Sequence, residues 1–300
     1  MDKYDVAIIG AGPSGITAAI YCARYKLKTI LISKELGGYV GHAVMIGNFP
    51  GYNSIPGFEL VKKYMEQIKS NNIEYKRESA NEIKVISEDV SIKTNKGEYI
   101  AKYLIYALGT EKRKLKCPGE DMPEIYFCAT CDAPMTQDKE VVVAGGNDSG
   151  TSAALLISEY AKKVTIVEIA QKLPSEPIWV EKIKNSKKID IVTGDSIKEI
   201  IGREGNHVSK VILNSGRVIF ADAIFVEIGS YPRTDIAKKI GIKLDQYDHI
   251  DVDKTQKTNI DRIYAAGDVT NSSNYMRQIV AAQAEGAMAA QAIYKRIQGV

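Results

Sequence analysis

The sequence predicts an α/β protein, and three observations carry that prediction. Near the N-terminus, "YDVAIIGAGPSGITAAIYCARY" reads as an apolar strand, a glycine-rich turn and a helix, and "KTILIS" supplies a second strand. The same unit recurs in "EVVVAGGNDSGTSAALLISEYAKKVTIVE", its first glycine 135 residues beyond that of the first copy. Each copy is followed by short strands with turn signals rather than by more βα repeats. Together these imply two Rossmann-like dinucleotide-binding domains, with one nucleotide expected per domain.

The elements follow in order. Val6 to Ile9 form the first strand, and Gly10, Gly12 and Gly15 stand in G-x-G-x-x-G spacing. The first glycine permits the tight turn, the second lets a pyrophosphate approach the backbone, and the third lets helix and sheet pack closely. The helix beyond Gly12 offers free N–H groups and a positive dipole end to phosphate. An acid at the end of the second strand would hold the ribose; Ser33 stands there, with Glu35 two residues on. A helix is expected in "GFELVKKYMEQIKSNN" and short strands in "IEYKRESANEIKVI" and "VSIKTNKGEYIAKYLIYALGT". After the second unit come "KIDIVTGDSIKEIIG", "HVSKVILNSG" and "VIFADAIFVEIG" as strands. The chain closes with "RIYAAGDV" as a strand and "RQIVAAQAEGAMAAQAIYKRI" as a small-residue helix. Asp268, at a strand's C-terminal edge, reads equally as a ligand carboxylate or a helix N-cap.

Composition excludes several classes. A net charge of +3 over 300 residues does not argue for nucleic acid. No apolar run reaches the roughly 18 residues of a membrane helix, and "MDKYDVAIIG" has no signal-peptide pattern. Four cysteines are too few for a secreted disulfide scaffold, so a cytoplasmic enzyme is the expectation. Cys22 reads as a buried small residue on the first helix and Cys117 as a loop residue. Cys128 and Cys131 form a CxxC followed by Asp132. Zinc would need further ligands, and Cys22, Cys117, His42, His207 and His249 are all isolated, so no metal is expected. A redox pair and a structural disulfide ring remain open, as does a turn or N-cap role for Asp132.

"GAGPSG", "GNFPGY", "ALGTEKRKLKCPGE", "CATCD", "IGSYPRT" and "YAAGDV" with "RQIVAA" occur in an order that resembles the low-molecular-weight flavin-dependent thioredoxin reductases, nearly end to end. The resemblance implies a discontinuous FAD-binding domain, residues 1–113 and 241–300, and a nicotinamide-type domain, 114–240, inserted into the first and carrying the CxxC. It implies FAD contacts from Gly10, Gly12, Pro13, Ser14 and Gly15 at the pyrophosphate. Ser33, Gly37, Gly38, Tyr39, Asn48 and Gly109 would contribute further, Tyr39 replacing the family's usual glutamine. Gly267 and Asp268 would hold the ribityl chain, with Arg277, Gln278 and Ile279 beside the flavin. Cys131 would face the flavin, Cys128 would attack the protein substrate, and Asp132 would handle the proton. The family's inserted domain rotates, placing hinges near residues 112–118 and 232–243. A thioredoxin-like disulfide partner and a homodimer are implied. The rival readings are a flavin NAD(P)H oxidase and a non-catalytic FAD-binding protein with a structural CxxC.

The second fingerprint departs from the pattern. Gly145, Gly146, Asn147, Ser149 and Gly150 form its turn, with Asn147 at the middle glycine position. Where relatives using NADPH carry His-Arg-Arg, Glu168 begins "EIA". An acid suits a free 2′-hydroxyl and repels a 2′-phosphate. Three donors stay open: NADH, a carrier such as ferredoxin, or NADPH held by other residues. Two altered elements favour the carrier. "EKRKLK" reads as a solvated charge cluster able to steer an acidic partner.

Overall fold

The computed structural model describes residues 3–203 and 207–299. Two compact units emerge: residues 1–41, 46–111 and 231–300 form the first, and 42–45 with 112–230 form the second. The expected boundaries were 113/114 and 240/241. Ala237 and Ile242 are buried with Ile83 and Ile92 in the core of the first unit, which is why the segment beyond residue 231 belongs to it.

The first unit begins with β1 (Lys3–Ala11). Helix α1 (Pro13–Arg24) follows at once, with a proline in its first turn, where a missing N–H costs nothing. β2 (Thr29–Leu36) returns parallel to β1, Val6 opposite Thr29 and Ile9 opposite Ile32. Helix α2 (Gly57–Ser70) buries Leu60, Tyr64 and Ile68, one helical face at four-residue spacing. β3 (Glu74–Lys76), β4 (Ala80–Ile86), β5 (Asp89–Thr94) and β6 (Glu98–Tyr106) complete this part. The sheet order is β3-β2-β1-β6-β5-β4. β1, buried from Val6 onward, is flanked by parallel neighbours on both sides, as a continuous apolar strand should be.

β7 (Thr110–Lys112) leads into the second unit. There, β8 (Ile125–Tyr126), α3 (Ala129–Asp132), β9 (Glu140–Ala144), α4 (Asp148–Tyr160) and β10 (Lys163–Glu168) follow in turn. After α5 (Pro177–Lys184) and β11 (Ile189–Thr193) comes an antiparallel meander of β12 (Ile197–Arg203), β13 (His207–Leu213) and β14 (Val218–Phe220). β15 (Ala223–Val226) closes a parallel sheet ordered β11-β10-β9-β15-β8. Both faces of that sheet are covered: Val141 and Val143 enter one core cluster and Val142 the other.

β16 (Ser230–Pro232) pairs with β7, so the two crossing strands form their own small sheet. α6 (Asp235–Lys239) and β17 (Ile263–Ala265) follow, and β17 joins the first sheet beside the C-terminal half of β6. Helix α7 (Ile279–Gln298) ends at Gly299 in the left-handed region. It lies closely on α1 because Gly286 has no Cβ; one there would overlap the Ser14 carbonyl. Among the described residues, no helix is long and apolar enough to cross a membrane.

Candidate functional site

The two glycine turns are built alike at their ends and oppositely in the middle. Gly10 (φ 99°) and Gly145 (φ 103°) take a backbone conformation that side chains resist, and each lies against a carbonyl of a neighbouring strand end, Ala107 and Glu227 respectively. Gly15 abuts the Gly10 carbonyl, and Gly150 abuts that of Gly145. At Gly12 a Cβ would meet nothing within 4 Å, and no side chain caps α1. The first N–H groups of that helix therefore point into an open cradle suited to an anion. Asn147 fills the corresponding place: its Oδ1 accepts from Gly150 N (3.0 Å) and its Nδ2 donates to the Glu227 carbonyl (2.8 Å). The side chain is the N-cap of α4.

The rest of the second turn is likewise self-satisfied. Glu168 is buried, not an exposed strand-end acid. One carboxylate oxygen accepts from Gly146 N (2.6 Å), the other from Ala170 N (2.8 Å). Asp148 accepts from Ser175 Oγ (2.8 Å) and Glu176 N (2.7 Å). Ser149 sits exposed in the first turn of α4.

In the first unit, Gly37 and Gly38 lie near the open cradle and Gly267 against Ser14, and the other expected cofactor residues make the contacts that follow. Gly37 N donates to the Ala11 carbonyl (2.7 Å), and Gly38 lies over Gly12. Gly267 (φ 86°) lies against Ser14 Oγ. Pro13 opens α1. Asn48 Nδ2 donates to Gln278 Oε1 (3.0 Å), joining two residues 230 apart in sequence, and Ile279 starts α7. Tyr39 is exposed. Ser33 turns its hydroxyl back to the Glu35 carbonyl (2.7 Å), while Glu35 itself is exposed. Gly109 accepts Arg233 N at the end of the crossing (3.0 Å).

Asp268 lines a narrow cleft with Gly267, Arg277 and Glu285. Burial pushes its carboxyl up to about 6; Arg277 opposes the shift and Glu285 adds to it. Two residues to which the sequence reading gave no role here support the cleft, Glu285 in its lining and His249 behind Arg277. Glu285, the lone acid in "AAQAEGAMAA", accepts from Gly267 N (2.7 Å) and Thr270 Oγ1 (3.1 Å), fixing the loop that carries Asp268. His249, read from sequence as isolated, is buried, and its Nε2 accepts from Arg277 Nη2 (2.8 Å). Burial and then Arg277 hold that imidazole below its ordinary pKa, consistent with a neutral acceptor.

In the second unit, Cys128 and Cys131 are joined as a disulfide with Cα atoms 5.3 Å apart. Cys128 precedes α3, and its carbonyl accepts from the N–H groups of Cys131 (3.1 Å) and Asp132 (3.0 Å). Ala129 and Ala133 are buried in the core, so the small residues of "CATCDA" seat the short helix while Cys128 stays half-buried and Cys131 exposed. Asp132 precedes a 3₁₀ turn but makes no capping bond. Burial raises its pKa, which suits a group that holds a proton. Thr130 Oγ1 donates to the His42 carbonyl (2.7 Å), and His42 Nδ1 lies 3.3 Å from Cys128 Sγ. The isolation assigned to His42 from sequence is thereby corrected. Its ring nitrogen and the two sulfurs lie within 4.8 Å of one another; with the sulfurs bonded together, neither presents a thiolate to a metal in this state.

Lys112 departs from the solvated cluster expected of "EKRKLK". Its Nζ binds both oxygens of Glu227 (2.9 Å each) and the Phe127 carbonyl (2.7 Å). Glu227 is buried at 6% exposure. Burial raises its pKa most, while Lys112 and then His42 lower it. The signal in sequence was a single acid at the end of the apolar strand "AIFVEIG".

Cys22 is fully buried, its thiol pushed up to about 12 by burial, as befits an inert core residue. Cys117 is partly buried and its thiol is also raised, chiefly by burial.

The chain is similar to known proteins over nearly its whole length. The profile of the pyridine nucleotide-disulphide oxidoreductase family matches residues 4–286. The chain is 34% identical to the thioredoxin reductase of Listeria innocua over 98% of this chain and 94% of that protein. Among solved structures, it is 33% identical to Lactococcus lactis thioredoxin reductase, with TM-score 0.94, covering 99% of this chain and all of that one. It is 32% identical to a ferredoxin-flavin thioredoxin reductase from Clostridium acetobutylicum, with TM-score 0.55 and 99% of each chain covered.

Proposed function

The chain belongs to the pyridine nucleotide-disulphide oxidoreductase family, and from that premise we propose an FAD-dependent reductase of a thioredoxin-like protein disulfide whose donor is not NADPH. The observation that carries the activity is the Cys128–Cys131 disulfide, held at a short helix with Cys131 exposed and Cys128 half-buried. The residues of the first unit fit FAD: an uncapped helix terminus behind Gly12 for the pyrophosphate, the Asp268 carboxylate for hydroxyls, and Arg277, Asn48 and Gln278 for the ring. Bound there, FAD supplies two-electron chemistry between a donor and the disulfide. Asp132, its pKa raised, holds the proton that a departing thiolate needs. Cys128 attacks the partner and Cys131 resolves the mixed disulfide.

The second fingerprint does not fit a nicotinamide dinucleotide phosphate. Asn147 consumes a helix N-terminal amide, and the buried Glu168 would meet the 2′-phosphate charge to charge. NADH is the weaker alternative, because both oxygens of Glu168 already accept backbone amides. A reduced carrier such as ferredoxin is the donor class this reading favours. A cytoplasmic homodimer accompanies it by resemblance.

Anaerobic mixing of the oxidised holoenzyme with each donor tests this. Reduced ferredoxin should bleach the flavin, and NADPH should leave it oxidised over seconds. Rapid bleaching by micromolar NADPH would overturn the donor assignment.

A further inference from the structure

Given the redox role proposed above for Cys128 and Cys131, we propose that Lys112, anchored on Glu227, is a positioning residue of that pair. It clamps the backbone just ahead of Cys128 and so makes the dithiol a stronger reductant. β15 ends at Val226, and Glu227 is the next residue; β8 ends at Tyr126, and Phe127 is the next. The two strands are parallel neighbours, Phe225 opposite Tyr126, so the residues just beyond their ends lie side by side. Lys112 Nζ joins them, 2.9 Å from each Glu227 carboxylate oxygen and 2.7 Å from the Phe127 carbonyl.

The anchor is itself held. Glu227 N donates to the Ala144 carbonyl (2.7 Å), the Glu227 carbonyl accepts from Asn147 Nδ2 (2.8 Å), and its side chain is buried. Next to the lysine, Arg113 N donates to the Gly229 carbonyl (3.0 Å). Lys112, Glu227, Phe127 and both cysteines belong to the second unit, so the clamp is carried with the redox pair when that unit moves.

Cys128 stands outside α3 in extended backbone (φ −139°, ψ 95°), whereas Cys131 lies inside the helix. The spacing of the two sulfurs in the reduced state therefore depends on what holds the chain ahead of Cys128. In the oxidised state the covalent ring restrains Cys128 with or without the clamp. In the dithiol the ring is open, and the clamp supplies part of the restraint. Loss of the clamp releases conformational freedom mainly on the dithiol side, which favours the dithiol. With the clamp in place, less ordering is needed to close the ring. The dithiol then gives up its two electrons and two protons more readily: the Cys128–Cys131 bond forms, the partner's disulfide breaks, and the partner leaves as a dithiol.

The test reads a redox equilibrium of the holoenzyme and needs neither donor nor protein partner. The protein is equilibrated without oxygen at pH 7 in reduced and oxidised dithiothreitol of varied ratio. Acid quenching, alkylation and peptide mass spectrometry then give the fraction of Cys128 and Cys131 present as dithiol. Lys112→Met/Glu227→Met replaces the ion pair by apolar side chains and removes opposite charges together. Its midpoint ratio of reduced to oxidised dithiothreitol should lie about fivefold below that of the unaltered protein. Lys112→Arg, still able to donate to both acceptors, should stay within about twofold of it. If the Met pair does not fold, Lys112→Met/Glu227→Gln carries the same prediction. An unchanged midpoint in the folded double variant, a shift the other way, or an equal shift in Lys112→Arg would overturn the proposal. If the midpoint shifts as expected but the enzyme reduces no protein disulfide, the clamp stands and the proposed function falls.

Discussion

Replacing Asp268 with Asn should make the flavin-free protein more stable and the flavin weaker-bound. Asp268 sits in a cleft dry enough that its carboxyl titrates near 6 instead of 3.8, chiefly through burial. A folded-state pKa raised above the unfolded one means that the folded chain keeps a proton the unfolded chain has lost. The contribution of Asp268 to stability is therefore present below pH 3.8, declines as pH rises, and is gone above about pH 6. The difference of about 2 units, at 1.36 kcal/mol each, amounts to about 3 kcal/mol of ionisation cost at neutral pH. Asn keeps the shape without the charge. Urea denaturation of the flavin-free protein at pH 7.5 should show the variant more stable by up to about 3 kcal/mol, with the gap closing towards pH 4. The shift to about 6 is already net of the opposing Arg277 charge. In the flavin-bound protein the order should reverse if, as proposed, the carboxylate accepts from cofactor hydroxyls. An equal or lower stability of the variant at pH 7.5, or a gap independent of pH, would refute the argument.

Two variants of the second unit carry further outcomes. Lys112→Met would leave Glu227 buried without its cation; we expect a loss of about 3 kcal/mol at pH 8, read by denaturant midpoint, shrinking at acid pH as Glu227 takes up a proton. Asn147→Gly removes the α4 cap and two hydrogen bonds but retains a tolerated N-cap residue, so it should cost only about 0.5 kcal/mol by chemical denaturation. The same variant should raise affinity for ADP-ribose in calorimetry while leaving NADPH excluded by Glu168.

Much of the cofactor cradle was legible because its residues are specified by local backbone demands. Gly10, Gly15, Gly145 and Gly150 occupy positions where a Cβ overlaps a carbonyl, and such requirements appear in sequence as fixed spacing. The paired thiols and the acid after them are likewise contiguous. Lys112 was not legible: a lysine in a run of charges reads as solvated, and its partner Glu227 is 115 residues away. Glu285 and His249 were missed for the same reason, each acting on a residue that only folding brings near.

The sequence by itself therefore determined the two βαβ units, the turn glycines, the paired cysteines and the loss of the middle glycine at Asn147. These are encoded by neighbours along the chain, where hydrophobic period and backbone conformation leave a direct trace. Only the tertiary structure decided what became of that loss: Asn147 caps α4 and reaches the Glu227 carbonyl 80 residues away, filling in its own turn the place that Gly12 leaves open in the first. It also decided that His42 belongs with Cys128, 86 residues away. Burial, ion pairing and proton exchange depend on distance through space, and separation along the chain carries no record of that distance.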